Sequence, residues 1–421
     1  MSSLPFDPRL LADLAQRHGT PLWVYDADTI AAQVATLRAF DGIRYAQKAN
    51  SNVHILRWMR SLGVMLDAVS VGELERGIAA GYATGCDAQG LSPIVYTADV
   101  LDRAGLARVA QTRVPVNCGS IDMIDQLAAS CPAHPVWLRI NPGFGHGHSQ
   151  KTNTGGEHSK HGIWHADLAL ALQRVRAGNL QLVGLHMHIG SGVDYGHLQR
   201  VCGAMVALAQ QVRDAGLVLN AISAGGGLSV PYRAGEPGID TAHYYSLWEA
   251  ARQQVSARFG GRPIHLEIEP GRYLVAQAGV LLAEVRAAKS MGQKSFVLVD
   301  AGFNDLMRPA MYGAYHGMSL LRPDGTPVPG PEVETVVAGP LCESGDVFTQ
   351  GPGGEVLTRA LPRPQVGDLL VLHDAGAYGA SMSSNYNSRG LAAEVLVQAG
   401  QARLIRRRQT IHDLLALEET A

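Results

Sequence analysis

The sequence predicts an α/β plus all-β protein, a (β/α)8 barrel followed by a second, mainly antiparallel β domain. Three observations predict it. Eight short apolar runs alternate with helical patterns between Ile43 and Ile268, and beyond Gly279 the helical patterns give way to β-rich runs. The chain also has 421 residues, 46% of them hydrophobic and 17% charged, which is core material enough for two domains. The expected boundaries are 28–277 for the barrel, with 1–27 and 278–421 joining in the β-rich domain.

Taken in order, the barrel strands are expected at 43–47, 64–69, 94–97, 115–118, 136–141, 182–189, 219–224 and 264–268. Helix starts fit between them. Ser70 and Glu73 have the spacing of a capping box, Ser120 precedes Ile121, Ile124 and Leu127 at helical intervals, and Gly81 marks a stop. Periodicity cannot report closure, so a doubly wound open sheet is the alternative, with strand count and region length favouring the barrel. Further strands are expected at 280–287, 295–300, 333–338 and 368–373. A hairpin through Glu394–Val397 and Arg403–Ile405 turns at Ala399-Gly400, the stretch 322–331 reads as a surface loop, and Thr410 opens a terminal helix.

Composition excludes several classes. A net charge of -2 with no long basic run argues against nucleic acid. Five widely spaced cysteines without CxxC pairs suggest neither a disulfide framework nor a structural zinc site, and fit reduced thiols in the cytoplasm. The N-terminal stretch carries Asp7, Arg9, Asp13, Arg17 and His18 among its leucines, which suits neither a signal peptide nor a membrane span.

The chemistry-bearing residues cluster at the expected C-terminal ends of barrel strands. Tyr45-Ala46-Gln47-Lys48-Ala49-Asn50 delivers one lysine there, placed to act as a Schiff-base nucleophile; the plain reading is a solvated charge. His186 and His188 fall on one side of a strand. One ring stacked on a flat cofactor and one hydrogen-bonded core histidine account for the pair better than a metal, because no third ligand follows at suitable spacing. Gly225-Gly226-Gly227 gives backbone N–H groups room to approach a phosphate, though such a triplet by itself is more often a tight turn. Glu269, with Arg272 close behind, is a carboxylate able to keep a pyridinium nitrogen protonated, or else half of a structural ion pair. Lysine, phosphate grip, flat ring and carboxylate together meet the needs of pyridoxal phosphate. In the second domain Arg308, Tyr312, Glu343 and Tyr378 offer recognition of a substrate bearing carboxylates and ammonium groups. Read alone, Arg308 is a surface charge and Cys342 a packed thiol.

Across nearly its whole length the chain resembles the diaminopimelate decarboxylases, barrel-type (fold type III) pyridoxal-phosphate enzymes with an alanine-racemase-like architecture, and in particular their enterobacterial type. The motifs that carry the resemblance are Ala46-Gln47-Lys48-Ala49-Asn50, His188-Ile-Gly-Ser191, Glu269-Pro-Gly-Arg272, Met307-Arg308-Pro309, Cys342-Glu343-Ser344 and Ala377-Tyr378. It implies that Lys48 is the Schiff-base lysine, that His188 stacks on the cofactor ring and that Glu269 faces the ring nitrogen. Ser191, Gly225, Gly226 and Gly227 would hold the phosphate, with Arg272 and Tyr378 near both cofactor and substrate. Arg272, Arg308, Tyr312, Glu343 and Tyr378 would grip meso-diaminopimelate, and Cys342 would act as proton donor in the partner subunit's site. A cytoplasmic homodimer that releases L-lysine and CO2 is implied, with no metal and no membrane or nucleic-acid partner. Two departures stand out: Gly192 replaces a common glutamine and His161 a common phenylalanine. The rival enzymes are decarboxylases of ornithine, arginine or a carboxylated polyamine, whose substrates differ at the distal carboxylate, and a racemase, which needs a second base that Tyr378 could mimic. A non-catalytic cofactor carrier is the rival outside enzymes; it would be a lone barrel. The polar stretch 145–161 is read either as a gate over an anionic substrate or as a solvated connection.

Overall fold

The structure is a computed structural model describing residues 4–145, 154–188, 190 and 194–418. Two compact units form: one from 32–229 and 238–273, the other from 4–31, 230–237 and 274–418.

The strands run in chain order from β1 (Leu22–Asp26), which belongs to the second unit, to the barrel strands β2 (Gly42–Ala46), β3 (Met65–Ala68), β4 (Ile94–Tyr96), β5 (Val116–Cys118) and β6 (Pro135–Asn141). After the short β7 (Ile163–Trp164) come β8 (Gln181–His186), β9 (Ala221–Ser223) and β10 (His265–Ile268). All barrel pairs are parallel, in the order β5-β4-β3-β2-β10-β9-β8-β6, and β5 pairs with β6 to close the ring; β7 is appended to β6. The open-sheet alternative is thereby excluded. Each expected run is a strand, because a strand covered on both faces must be apolar throughout rather than alternating. Every residue of β2, for instance, is buried.

Helix starts follow the side chains that precede them. Ser70 accepts the Glu73 N–H at 3.2 Å and Ser120 the Met123 N–H at 3.2 Å, each satisfying a donor that the first turn leaves open. The capping box expected at Ser70 is only half made, since the Glu73 carboxylate takes the Val69 N–H at 2.8 Å instead. The full reciprocal box occurs at Thr410 and Asp413, at the start of the terminal helix Ile411–Leu415.

In the second unit β11 (Gly279–Met291) is the longest strand and the centre of the sheet; β12 (Lys294–Val299), β13 (Met318–Leu321), β14 (Glu332–Ala338), β15 (Arg359–Pro362), β16 (Leu369–Leu372), β17 (Ala393–Gln398) and β18 (Gln401–Arg406) complete it. Pairing is antiparallel except for β1 with β17 and β12 with β14. The hairpin β17–β18 turns on Ala399 (φ 47°) and Gly400 (φ 74°), the two left-handed residues that a tight two-residue connection needs. Its core packs Leu22, Val24, Val280, Leu282, Val371 and Val395 against the helix Pro8–His18.

Candidate active site

In the barrel unit each candidate side chain stands just beyond the C-terminal end of a strand. β2 runs into a one-turn 3-10 helix, Gln47–Ala49, which carries Lys48. Its Nζ lies 3.7 Å from Oδ2 of Asp67 on β3. Burial, and next the charge of Glu269, push the Asp67 carboxyl well above the usual range, while Lys48 pulls it down. Beyond β8, His188 Nδ1 accepts the Gly226 N–H at 3.0 Å, so any ring proton sits on Nε2. Burial, then the Arg139 and Lys48 cations, hold this imidazole well below its usual pKa and therefore neutral. Beyond β10, Oε2 of Glu269 lies 2.7 Å from His186 Nε2. Burial opposes ionisation of Glu269, yet its contact with His186, and then the Lys48 cation, outweigh it and hold the carboxyl well below the usual range. Arg272 opens the short helix Arg272–Val275 that follows.

The glycines after β9 leave no space for side chains. A Cβ on Gly225 (φ +63°) would stand 2.1 Å from Met187 O, and one on Gly226 2.5 Å from Glu269 O. Two of their amides are already engaged: Gly225 N–H donates to Ser223 Oγ at 3.1 Å and Gly226 N–H to His188. These two glycines thus permit close backbone packing, and Gly226 fixes the histidine ring, where the sequence suggested free amide donors. Ser191 lies outside the described residues, as do Gly192 and 146–153 of the stretch read as a gate. His161, from the same stretch, bonds through Nδ1 to Asp99 Oδ1 at 2.8 Å.

The second unit holds the remaining candidates. Arg308 is buried, contrary to the surface charge its residue type suggests: its Nη1 lies 2.9 Å from His316 Nε2, and its guanidinium stacks 5.0 Å from the Tyr232 ring centroid. Tyr312 ends the same short helix, Arg308–Tyr312, and is half-buried. Cys342 is exposed and unpaired with another cysteine, which corrects the packed-thiol reading. Its loop is tied down instead by backbone and carboxylate. The Cys342 N–H donates to Asn387 Oδ1 at 3.0 Å, and the buried Asp346 carboxylate accepts the Leu341 and Phe303 N–H groups, each at 2.7 Å. Glu343 is exposed and accepts from the Tyr386 hydroxyl. Tyr378 is half-buried at φ +56°, a left-handed backbone rare for a tyrosine.

Comparison with known proteins decides what this constellation belongs to. The family described as "Pyridoxal-dependent decarboxylase, pyridoxal binding domain" matches residues 28–276. The chain is 64% identical over 409 residues to the diaminopimelate decarboxylase of Escherichia coli strain K12, covering 97% of this chain and 96% of that one. It is 63% identical over 411 residues to the Streptomyces coelicolor enzyme of the same name, covering 98% and 92%. A crystal structure of diaminopimelate decarboxylase at 62% identity superposes with a TM-score of 0.94, covering 99% of this chain and 98% of that one. The chain belongs to the diaminopimelate decarboxylase family.

The residues of this decarboxylase fit the cofactor that the family name implies. Pyridoxal phosphate needs an amine, a flat neutral ring to lie on, an anion for its ring nitrogen and side-chain-free backbone at its phosphate. Lys48, the neutral His188, the ionised Glu269 and Gly225–Gly227 are groups of these kinds within the barrel unit. Sequence reasoning missed Asp67, Asp99 and Tyr386, each a commonplace residue type whose partner is 19 to 62 positions away in the chain. No motif could have marked them.

Proposed function

We infer that this chain is a pyridoxal-phosphate-dependent lyase that decarboxylates meso-2,6-diaminopimelate to L-lysine and CO2, the last step of lysine biosynthesis. The observation that carries this reading is Lys48 beside Asp67 at the mouth of a closed barrel, in a chain that matches diaminopimelate decarboxylases from end to end. When bound, pyridoxal phosphate supplies the electron sink for the pair left behind as the substrate's C–COO⁻ bond breaks.

The protein's own groups do the rest. Lys48 Nζ binds the cofactor. Glu269, ionised in a buried setting, would hold the proton at the cofactor's ring nitrogen, and the neutral His188 would offer a ring for the cofactor to rest on without adding a charge that opposes that proton. Cys342 Sγ–H supplies the proton that replaces the lost carboxylate on the same carbon. Its exposed position suits a residue that serves the partner subunit of a homodimer, and the exposed Glu343 and Ser344 beside it suit that interface. The absence of any disulfide among the five cysteines suits the cytoplasm. Among the described residues no helix is long and apolar enough to cross a membrane.

Arg272, Arg308, Tyr312, Glu343 and Tyr378 grip the substrate, and Arg308 reads its distal carboxylate. A guanidinium built to meet a carboxylate is left partly unpaired by ornithine or lysine, and that mismatch is the source of discrimination. Arg308→Ala is expected to raise KM for diaminopimelate by about 10- to 100-fold, the worth of one charge-assisted contact. Steady-state kinetics check this, and an unchanged kcat/KM would remove Arg308 from the role. Mixing Lys48→Ala with Cys342→Ala subunits checks the shared site: hybrid dimers regain one intact site, about a quarter of parental activity in a random mixture. No recovery on mixing would place Cys342 in its own chain's site or outside the chemistry.

A further inference from the structure

His186 is nearly fully buried on β8, and its Nε2 lies 2.7 Å from Oε2 of Glu269. A carboxylate only accepts, so Nε2–H donates. The other ring nitrogen, Nδ1, is buried without a hydrogen-bond partner among the described residues. Among the described residues the hydrogen bonding of this imidazole is therefore spent on one carboxylate, just beyond β10, and on no backbone group. A histidine kept only for packing would have a less costly apolar substitute at such a position.

The surroundings explain why a hydrogen-bond donor is useful there. Lys48, Asp67, His188 and Arg44 also face Glu269 electrostatically. Arg44 is committed to Glu267 through two hydrogen bonds of 2.7 and 2.9 Å, and Lys48 is the amine reserved for the cofactor. That leaves His186 as the group that can fix one oxygen of Glu269 without competing for the ring nitrogen's proton.

We propose that His186 is the positioning residue for Glu269: its Nε2–H fixes Oε2, so that the carboxylate stays ionised and turned toward the ring nitrogen of bound pyridoxal phosphate. This rests on the reading of Glu269 given above. The test compares four holoenzymes, His186→Leu, His186→Gln, Glu269→Gln and the double variant His186→Leu/Glu269→Gln, by cofactor absorbance, cofactor dissociation constant and the pH profile of kcat. Gln places an amide N–H near the position of Nε2, whereas Leu offers no donor.

Expected results are a 10- to 100-fold loss of kcat in His186→Leu, about the worth of a hydrogen bond to a charged group, with an altered cofactor spectrum. The acidic limb of its pH profile moves up by about one unit or more, because a carboxyl without its donor binds a proton more readily. His186→Gln recovers most of both effects, and the double variant is no worse than Glu269→Gln alone. If Glu269→Gln changes spectrum and rate while His186→Leu matches the parent, the inference is overturned and the role of Glu269 stands. Equal damage in His186→Leu and His186→Gln, with lowered thermal stability and an unmoved pH limb, overturns it too and assigns His186 to packing. If Glu269→Gln leaves both spectrum and rate unchanged, the reading of Glu269 fails first and the inference falls with it.

Discussion

Lys48→Ala is expected to lower turnover by about a thousandfold or more, since loss of a covalent nucleophile is rarely compensated by neighbouring groups. The variant should still fold, because Lys48 sits on a one-turn helix with its side chain 45% exposed and contributes little to the core. Borohydride treatment of the holoenzyme followed by mass measurement checks the assignment directly. The parent should retain one cofactor per chain on Lys48, and Lys48→Ala none. Retention on another lysine would move the nucleophile elsewhere. Asp67 adds a condition, for its raised pKa leaves Lys48 facing a carboxyl that keeps its proton more readily than an exposed aspartate would.

The largest effect on stability is expected inside the barrel. Arg44 and Glu267 form a bidentate pair in which both side chains are at most 3% exposed, and Arg44 also donates to the Leu66 and Ser92 carbonyls, each at 3.1 Å. Arg44→Met would leave a buried carboxylate without its cation, at a cost of about 3–5 kcal/mol. Burial raises the Glu267 pKa, but Arg44, and after it His265, override burial and bring it down to about 2. A carboxyl depressed in the folded state adds stability above its ordinary unfolded value, and that stability is lost as pH falls toward 2. The parent should therefore resist acid down into that window, whereas Arg44→Met should unfold at higher pH and at lower urea concentration. Arg44→Met/Glu267→Leu should recover much of the loss, since it leaves no lone charge behind. If the single variant were as stable as the parent, the pair would carry no net stabilisation.

The barrel was legible because its strands are buried on both faces, and continuous apolar runs survive into the sequence as such. Closure was not, since it depends on β5 meeting β6, two strands whose pairing no periodicity encodes. The two histidines show a finer limit. Alternation puts His186 and His188 on one side, but β8 ends at His186, and beyond it the chain no longer follows strand geometry. One ring accordingly meets Glu269 and the other Gly226. Arg308 and Cys342 were misjudged when read by residue type alone. An arginine is usually exposed, but His316 and Tyr232 make burial tolerable for this one; a cysteine is usually buried, but this one rides on a loop anchored by Asp346 and Asn387. In both cases the deciding partners are remote in sequence or carry no motif.

The most direct test of the account is to supply the purified holoenzyme with meso-diaminopimelate and, separately, with ornithine, and to measure CO2 and amine product together. Equal amounts of CO2 and L-lysine from diaminopimelate, with ornithine left untouched, are the predicted result. Turnover of ornithine in preference would contradict the reading of the distal carboxylate by Arg308, and cofactor absorbance without CO2 from either substrate would contradict decarboxylation itself.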